Sequence, residues 1–506
     1  MKGPERAYSL RAIGARLRGR FCPSRRLNPL INASRGPALN ADKLENQAST
    51  SASSGLLPEF AISWRQYFKD NLAVTLALLT QGVNFLSGIT ILILMVLCMS
   101  PEEQGFYYTF GGLASIQMIL DFDLHLVLLF VASHEWSKLK LGDSGGIGGD
   151  PEAMSRLVSL GRNALVWYSW AAALSMVLIG PLGVALMSRE VHPLISWRSP
   201  WIVLVISTGL FVWGRVPIAL LEGCNQVVGA NKYRFYESMA RAAAICCALS
   251  LGYGLWAAPA GTIISLAVTY LFLRISYGTF LSPFMNPPRF SKIDWKKEVW
   301  PVQWRIGLSG AGASVVMYSM GPILFYCCGS VVAGQTGMTL AMITALQNAA
   351  TAWMIPKRPL FGVLAARGEY RKLDETWLRF FIASLAMLCL GAAASWLLVC
   401  SFGYLRLPVG ERFLPPFETL LLLAWCILRH ASFCISTYLR AHKRDPIVAV
   451  TLAYSLASVS TMVFLSRHYG VLGASMGLLT LASVSLAVEL RVWKICRRRW
   501  HGNAWA

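Results

Sequence analysis

Runs of about 20 apolar residues, the length a helix needs to cross the hydrocarbon core of a bilayer, recur twelve times along this chain. They cover residues 72–99, 105–132, 160–187, 199–224, 234–256 and 258–278, then 303–328, 332–356, 374–400, 415–440, 446–466 and 470–492. In hydrocarbon every backbone N–H and C=O must be satisfied inside the segment, and a continuous apolar run achieves this as a helix. The predicted fold class is an all-α polytopic membrane protein with twelve transmembrane helices. At 14% charged residues against 55% apolar, the composition does not suit a soluble globular domain.

Charge placement orients the helices. With the N-terminus in the cytoplasm, Lys and Arg number 34 in the cytoplasmic segments and adjoining span ends. The outer loops carry five, namely Arg189, Arg198, Arg406, Arg412 and Arg467. Without the N-terminal tail the asymmetry is still 22 to five, the sense of the positive-inside rule. Both termini are therefore expected in the cytoplasm. The net charge of +21 then reflects topology, and no nucleic-acid partner is expected.

Five regions follow. Residues 1–65 read as a basic, disordered cytoplasmic tail, with an amphipathic stretch over 7–21 suited to an anionic membrane surface. No apolar run follows its arginines, so it does not read as a secretory signal. Residues 66–278 form an N-terminal six-helix lobe, 279–302 a cytoplasmic linker, 303–492 a C-terminal six-helix lobe and 493–506 a basic cytoplasmic end. Ser100, Thr109 and Gln117 match Ser330, Thr339 and Gln347 at a constant offset of 230, as duplicated halves would. The Gly-rich stretch 142–150 lacks the Lys-Ser/Thr of a phosphate loop and reads as a flexible linker. The twelve cysteines are scattered without Cys-x-x-Cys spacing and read as small core residues. No metal site and no cofactor are expected.

The stretch Ser100-Pro-Glu-Glu-Gln-Gly105-Phe-Tyr-Tyr-Thr-Phe110, followed after an apolar segment by Ala132-Ser-His-Glu-Trp136, resembles the first hairpin of bacterial polysaccharide transporters. These are the lipid-linked oligosaccharide (O-antigen) flippases of the multidrug/oligosaccharidyl-lipid/polysaccharide (MOP) superfamily. Family members often carry Glu-Leu-Gly-Leu where this chain has Asp121-Phe-Asp123-Leu. The resemblance implies two pseudo-symmetric six-helix lobes in a V, related by an axis along the membrane normal. It also implies residence in the bacterial cytoplasmic membrane. The substrate would be a polyprenyl-pyrophosphate-linked oligosaccharide flipped by cation-coupled alternating access, with a glycosyltransferase or polysaccharide polymerase as working partners.

Ionisable groups inside spans are costly and mark functional positions. On a continuous second span, Gln117, Asp121 and His125 stack on one face while Asp123 points elsewhere. Asp121 and His125 are thus candidates for a coupling-ion site. Gln81, Asn84 and Gln117, with Gln347 and Asn348 in the other half, are candidates for lining a hydrated cavity. Of seven arginines in or at the ends of spans, five lie near the cytoplasmic face, Arg241 among them, where they can snorkel. Arg215 and Arg429 sit about 13 and 16 Å deep at 1.5 Å per residue. They occupy nearly corresponding places in the fourth and tenth spans, and a guanidinium pair there could grip a pyrophosphate. Alternatively, each is neutralised within its own lobe, with Asp121 or Glu222 as partners for Arg215.

The expected activity is transport, not catalysis. A cation-coupled multidrug exporter of the same superfamily is the alternative, with Asp121 carrying the ion. A membrane-embedded polysaccharide polymerase lacks the large outer loop it would need, and an acyltransferase has only His125 and His430 as deep histidines. No Walker sequence is present for nucleotide-driven transport.

Overall fold

The computed structural model describes residues 72–142, 145–190, 192–442 and 445–501. The tail over 1–65, with its amphipathic stretch, and the last five residues of the basic C-terminal end lie outside the described residues.

Each of the twelve apolar runs is helical. The N-terminal half contains α1 (Leu72–Cys98), α2 (Pro101–Ser115), α3 (Gln117–Leu120), α4 (Leu124–Trp136), α5 (Pro151–Met187), α6 (Arg198–Trp213), α7 (Arg215–Gly223), α8 (Val227–Ser250) and α9 (Ala257–Leu281). The C-terminal half contains α10 (Trp300–Cys328), α11 (Ser330–Met354), the short α12 (Arg358–Ala366), α13 (Tyr370–Tyr404), α14 (Pro416–Ala441) and α15 (Val448–His501). Seven helices are long and apolar enough to cross a membrane, and two bent pairs bring the number to nine. The other three spans are visible for separate reasons. The 54-residue α15 is two helices joined at Gly470, whose φ of +62° breaks it. Helix α8 carries Lys232, Arg234, Glu237 and Arg241, and α11 is rich in Gly, Ser and Thr, so both fall short on hydropathy while packing as full-length helices.

Local chemistry fixes the starts and breaks. Ser100 caps α2 as one half of a capping box: its Oγ accepts the Glu103 N–H at 3.1 Å, and the Glu103 carboxylate accepts the Ser100 N–H at 3.0 Å. Pro101 sits at the first helical position, where its missing N–H does no harm. The fourth span divides into α6 and α7 at Gly214 because Pro217, without an N–H, cannot bond the Trp213 carbonyl.

Each lobe has its own core. Leu124, Leu128, Leu157, Tyr168 and Leu220 centre the N-terminal one, and Met320, Leu324, Leu422, Met462 and Leu478 the C-terminal one. A third cluster, with Phe106, Phe110, Trp201, Phe325 and Ala333, joins the two lobes near the start of α2 and α11. There the Gln104 amide donates to the Gly334 carbonyl at 2.9 Å, again a pair separated by 230 positions. The linker is pinned to the N-terminal lobe by Arg156, which donates to Glu135 at 2.9 Å and to Glu298 at 2.6 Å.

One expected linker is ordered. Leu139–Leu141 and Ile147–Gly149 pair as a two-stranded antiparallel hairpin, β1 and β2. Of the glycines read as flexible, Gly145 lies in the connection at φ of +77° and Gly149 ends β2 at φ of +130°.

Candidate substrate chamber

The second span is not the single helix its hydropathy suggests. It bends by 40° between α2–α3 and α4, and Phe122 and Asp123 take left-handed φ of +50° and +49°. For residues with a Cβ this conformation is strained and persists only when its surroundings enforce it. Three contacts do so. The Arg215 Nη1–H donates to Asp121 Oδ2 at 2.6 Å. Phe122 lies against Gly307 of α10, where a Cβ would come within 2.6 Å of its own. Asp123 lies against Gly310, where a Cβ would meet its Oδ2 at 1.8 Å. The break is thus built from an ion pair within one lobe and two glycines of the first helix of the other.

The break opens a chamber of about 410 Å³ lined by α3, α4, α6, α7, α8 and α10. Asp121, Asp123, His125, Arg215, Arg234 and Glu237 all reach it. A second cavity of about 360 Å³ shares Asp121, Arg215 and Glu237 with it and adds Gln117 and Arg241. Their volumes lie in the range that holds small molecules or ligand head groups.

The charges form three sets. Asp121 pairs with Arg215. Glu222 of α7 holds the His125 Nε2 at 3.0 Å and also the Arg234 guanidinium. Glu237 pairs with Arg241 at 3.2 Å and accepts the Ser265 hydroxyl at 2.6 Å. The carboxylates are buried, at 7, 9 and 13% side-chain exposure, and their arginines are open, at 28, 40 and 47%. In each pair the guanidinium is thus the more exposed member, although Asp121 and Glu237 also line the chamber.

This architecture has solved counterparts. A multidrug resistance transporter of the MATE family, MOP superfamily, in an inward-facing conformation superposes with a TM-score of 0.61 at 16% identity, covering 85% of this chain and 96% of that one. The two chains share a fold. An outward-facing MATE transporter gives a TM-score of 0.51 at 14% identity over 83% of this chain and 94% of its own. A MOP-superfamily transporter from Pyrococcus furiosus, described as having a binding pocket of reversed polarity, gives 0.50 at 13% identity, over 85% and 96%. No protein-family profile and no curated protein sequence matches the chain. The MATE transporters have twelve helices in two lobes, as this chain does.

Within this fold the residues singled out from sequence separate. Asp121, His125, Arg215 and Gln117 reach the connected cavities. Asp123, expected to point away, joins them because the helix break turns it inward. The same break interrupts the face on which Gln117, Asp121 and His125 were expected to stack, and His125 pairs with Glu222 in place of Asp121. Arg429 is not brought to Arg215. It lies inside the C-terminal lobe, 3.8 Å from Glu489, with its guanidinium carbon 4.4 Å from the centre of the Tyr454 ring. Gln347 is also internal, 3.3 Å from His430 Nδ1 and accepting from the Cys426 thiol at 3.1 Å. Gln81 and Asn348 are exposed. Asn84 lines a separate, mostly apolar groove of about 750 Å³, walled by α1 of one lobe and α11 and α13 of the other.

Sequence reasoning missed Arg234, whose charge at a span end reads as topology. It also assigned Arg241 to snorkelling. The signal was present: Arg234, Glu237 and Arg241 follow at intervals of three and four, which places them on one helix face.

Proposed function

We propose that this protein is a flippase that moves a lipid-linked, polyprenyl-pyrophosphate oligosaccharide across the bacterial cytoplasmic membrane by cation-coupled alternating access. The observation that carries this reading is the arginine face of the chamber. Arg215 and Arg234 line the chamber and Arg241 the adjoining cavity. Each is held by a less exposed carboxylate, and each keeps N–H donors beyond those its carboxylate takes. Such a fork array suits the oxygens of a pyrophosphate. Tyr107 lines both the second cavity and the apolar groove, so a polar compartment adjoins an apolar one, as a substrate with a charged head and a hydrocarbon tail requires. With both termini cytoplasmic, the joined end of the lobes faces outward and the chamber is reached from the inside. The partners on this reading are the glycosyltransferases that supply the substrate and the polymerase that consumes it.

A cation-coupled multidrug exporter is the second reading. Asp123 favours it, since it lines the chamber without an ion pair among the described residues and could take a proton, a sodium ion or a cationic cargo. Proteoliposomes separate the two. Vesicles loaded with polyprenyl-pyrophosphate oligosaccharide should expose the glycan to an external glycosidase faster with the protein than without it. Gradient-driven movement of cationic dyes, with no glycan exposure, would establish the exporter instead.

A further inference from the structure

The joined end of the lobes holds two charges whose placement is reciprocal. Helix α11, in the C-terminal lobe, begins at Ser330 with no side-chain cap of its own. Its first N–H donates at 2.7 Å to Oε1 of Glu190, which belongs to the connection between α5 and α6 in the N-terminal lobe. The other oxygen of Glu190 lies 3.3 Å from His192 Nε2. Gly329 precedes the helix at φ +92°, and a Cβ there would come within 2.7 Å of the Glu190 carboxylate, so both its backbone and its bareness serve this contact.

The converse holds for α1, in the N-terminal lobe. No basic residue sits in its last turn. Arg412, from the C-terminal lobe, fills that place: its Nη2 donates to the Met99 carbonyl at 2.6 Å and the Val96 carbonyl at 3.3 Å. Its Nη1 also donates to Gln104 Oε1 at 3.4 Å. A helix carries partial positive charge at its N-terminus and partial negative charge at its C-terminus, with unsatisfied backbone groups at both. Each lobe thus supplies the charge that completes a helix end of the other.

We propose that Glu190 and Arg412 form a crossed-cap latch that holds this end of the molecule shut and biases the lobes toward the state in which the chamber opens at the opposite end. The inference rests on the alternating-access reading above. Parting the lobes here removes both caps in one movement, so the two contacts act together on one equilibrium. Both helix ends lie where the chain leaves the apolar spans, so water can take over the freed N–H and C=O groups. The latch therefore biases the equilibrium without fixing it. Cross-lobe placement is the essential feature, because a cap supplied within one lobe would persist in both states and shift nothing.

The test measures distance, not transport. Full-length protein in nanodiscs would carry spin labels on unnatural amino acids at Leu194 and Tyr404, which are 97 and 89% exposed on the two lobes at this end. The unaltered protein should give mainly a short separation. Glu190→Gln, which keeps an acceptor but loses the charge, and Arg412→Gln should each raise the long-distance population about threefold, and the pair about tenfold. Glu190→Lys, which sets a cation against the α11 N-terminus, should raise it further than Glu190→Gln. Unchanged distance distributions in all four variants, each eluting as a folded monodisperse protein, would overturn the latch. Shifted distances in a protein that moves neither glycolipid nor dye would keep the latch and remove the transport reading. Variants that fail to fold would also overturn it, because contacts in this position would then be required for assembly.

Discussion

The fourth and tenth spans carry arginines at nearly corresponding places, and the two lobes use them differently. Arg215 bonds Asp121 at 2.6 Å in the wall of the chamber. Arg429 lies 3.8 Å from Glu489, against the face of Tyr454, whose hydroxyl accepts the Trp425 indole N–H at 2.8 Å. The difference begins at the second span and its counterpart. In the N-terminal lobe that span breaks at Phe122 and Asp123, whereas α11 runs unbroken from Ser330 to Met354. At the offset of 230, Asp121 and Asp123 correspond to Thr351 and Trp353. Those two positions carry no carboxylate, and Arg429 pairs with Glu489 of α15 inside its own lobe. The two lobes share a helical frame, while the charged residues described in the chamber lining all lie in the N-terminal half.

The largest expected effect is on the C-terminal pair. Glu489 is 1% and Arg429 20% exposed, so Glu489→Ala leaves a half-buried guanidinium without its counter-charge. This change costs at most the ~3–5 kcal/mol of breaking a fully buried pair. Thermal unfolding in detergent should show a large drop, or folded protein should be lost. Replacing both members, Arg429→Met with Glu489→Leu, should recover most of that stability, since a buried pair exchanged for apolar groups is often neutral or better. Loss of transport with unchanged stability on Glu489→Ala would break the contrast between the lobes.

The next effect separates the lobes by activity. Asp121→Asn with Arg215→Gln removes both charges of that pair without stranding either. Glycan exposure should fall about tenfold or more, because hydrogen bonds to charged groups contribute about 1.5–3 kcal/mol each, while folded yield holds. The matched C-terminal double variant should transport normally. Equal losses from both doubles would mean that Arg429 serves the substrate after all.

A smaller, graded effect belongs to Glu222, which anchors His125 and Arg234 together. Glu222→Gln keeps hydrogen-bonding capacity and removes the charge. Transport should fall less than with the Asp121/Arg215 double variant, since only the positioning of Arg234 is loosened. A loss as large as that of the double would place Arg234, not Arg215, at the centre of the site.

These contrasts were unevenly legible in the sequence. Apolar length marks most spans, because bilayer thickness imposes it, while α8 and α11 are the more polar exceptions. The capping box at Ser100 is equally local. The break at 121–123 has no such mark: Met118 to Leu126 contains neither Pro nor Gly, and the bend depends on Arg215 and on two glycines of α10. Small residues on a membrane helix mark close approach, but what approaches these two is a strained turn from the other lobe. Arg429 shows a different limit. Counting residues gave its depth along the helix, but which neighbour it meets depends on how α14 packs on α15, and only the assembled lobe shows Glu489 and Tyr454.

The smallest expected effects test where the chamber ends. Gln81 and Asn348 belong to polar stripes that would line a central cavity if the lobes were equivalent. Both are exposed, and neither lies among the residues lining the described cavities. Gln81→Ala and Asn348→Ala should each leave stability within about 0.5 kcal/mol of the parent, as substitutions away from packed or charged features do. Gln117→Ala is the internal control, because Gln117 is buried and lines the cavity that contains Arg241. It should reduce glycan exposure when the other two do not. If Asn348→Ala reduced transport as much as Gln117→Ala, the substrate path would have to extend along α11, and the C-terminal lobe would share the chemistry that the structure concentrates around Asp121 and Arg215.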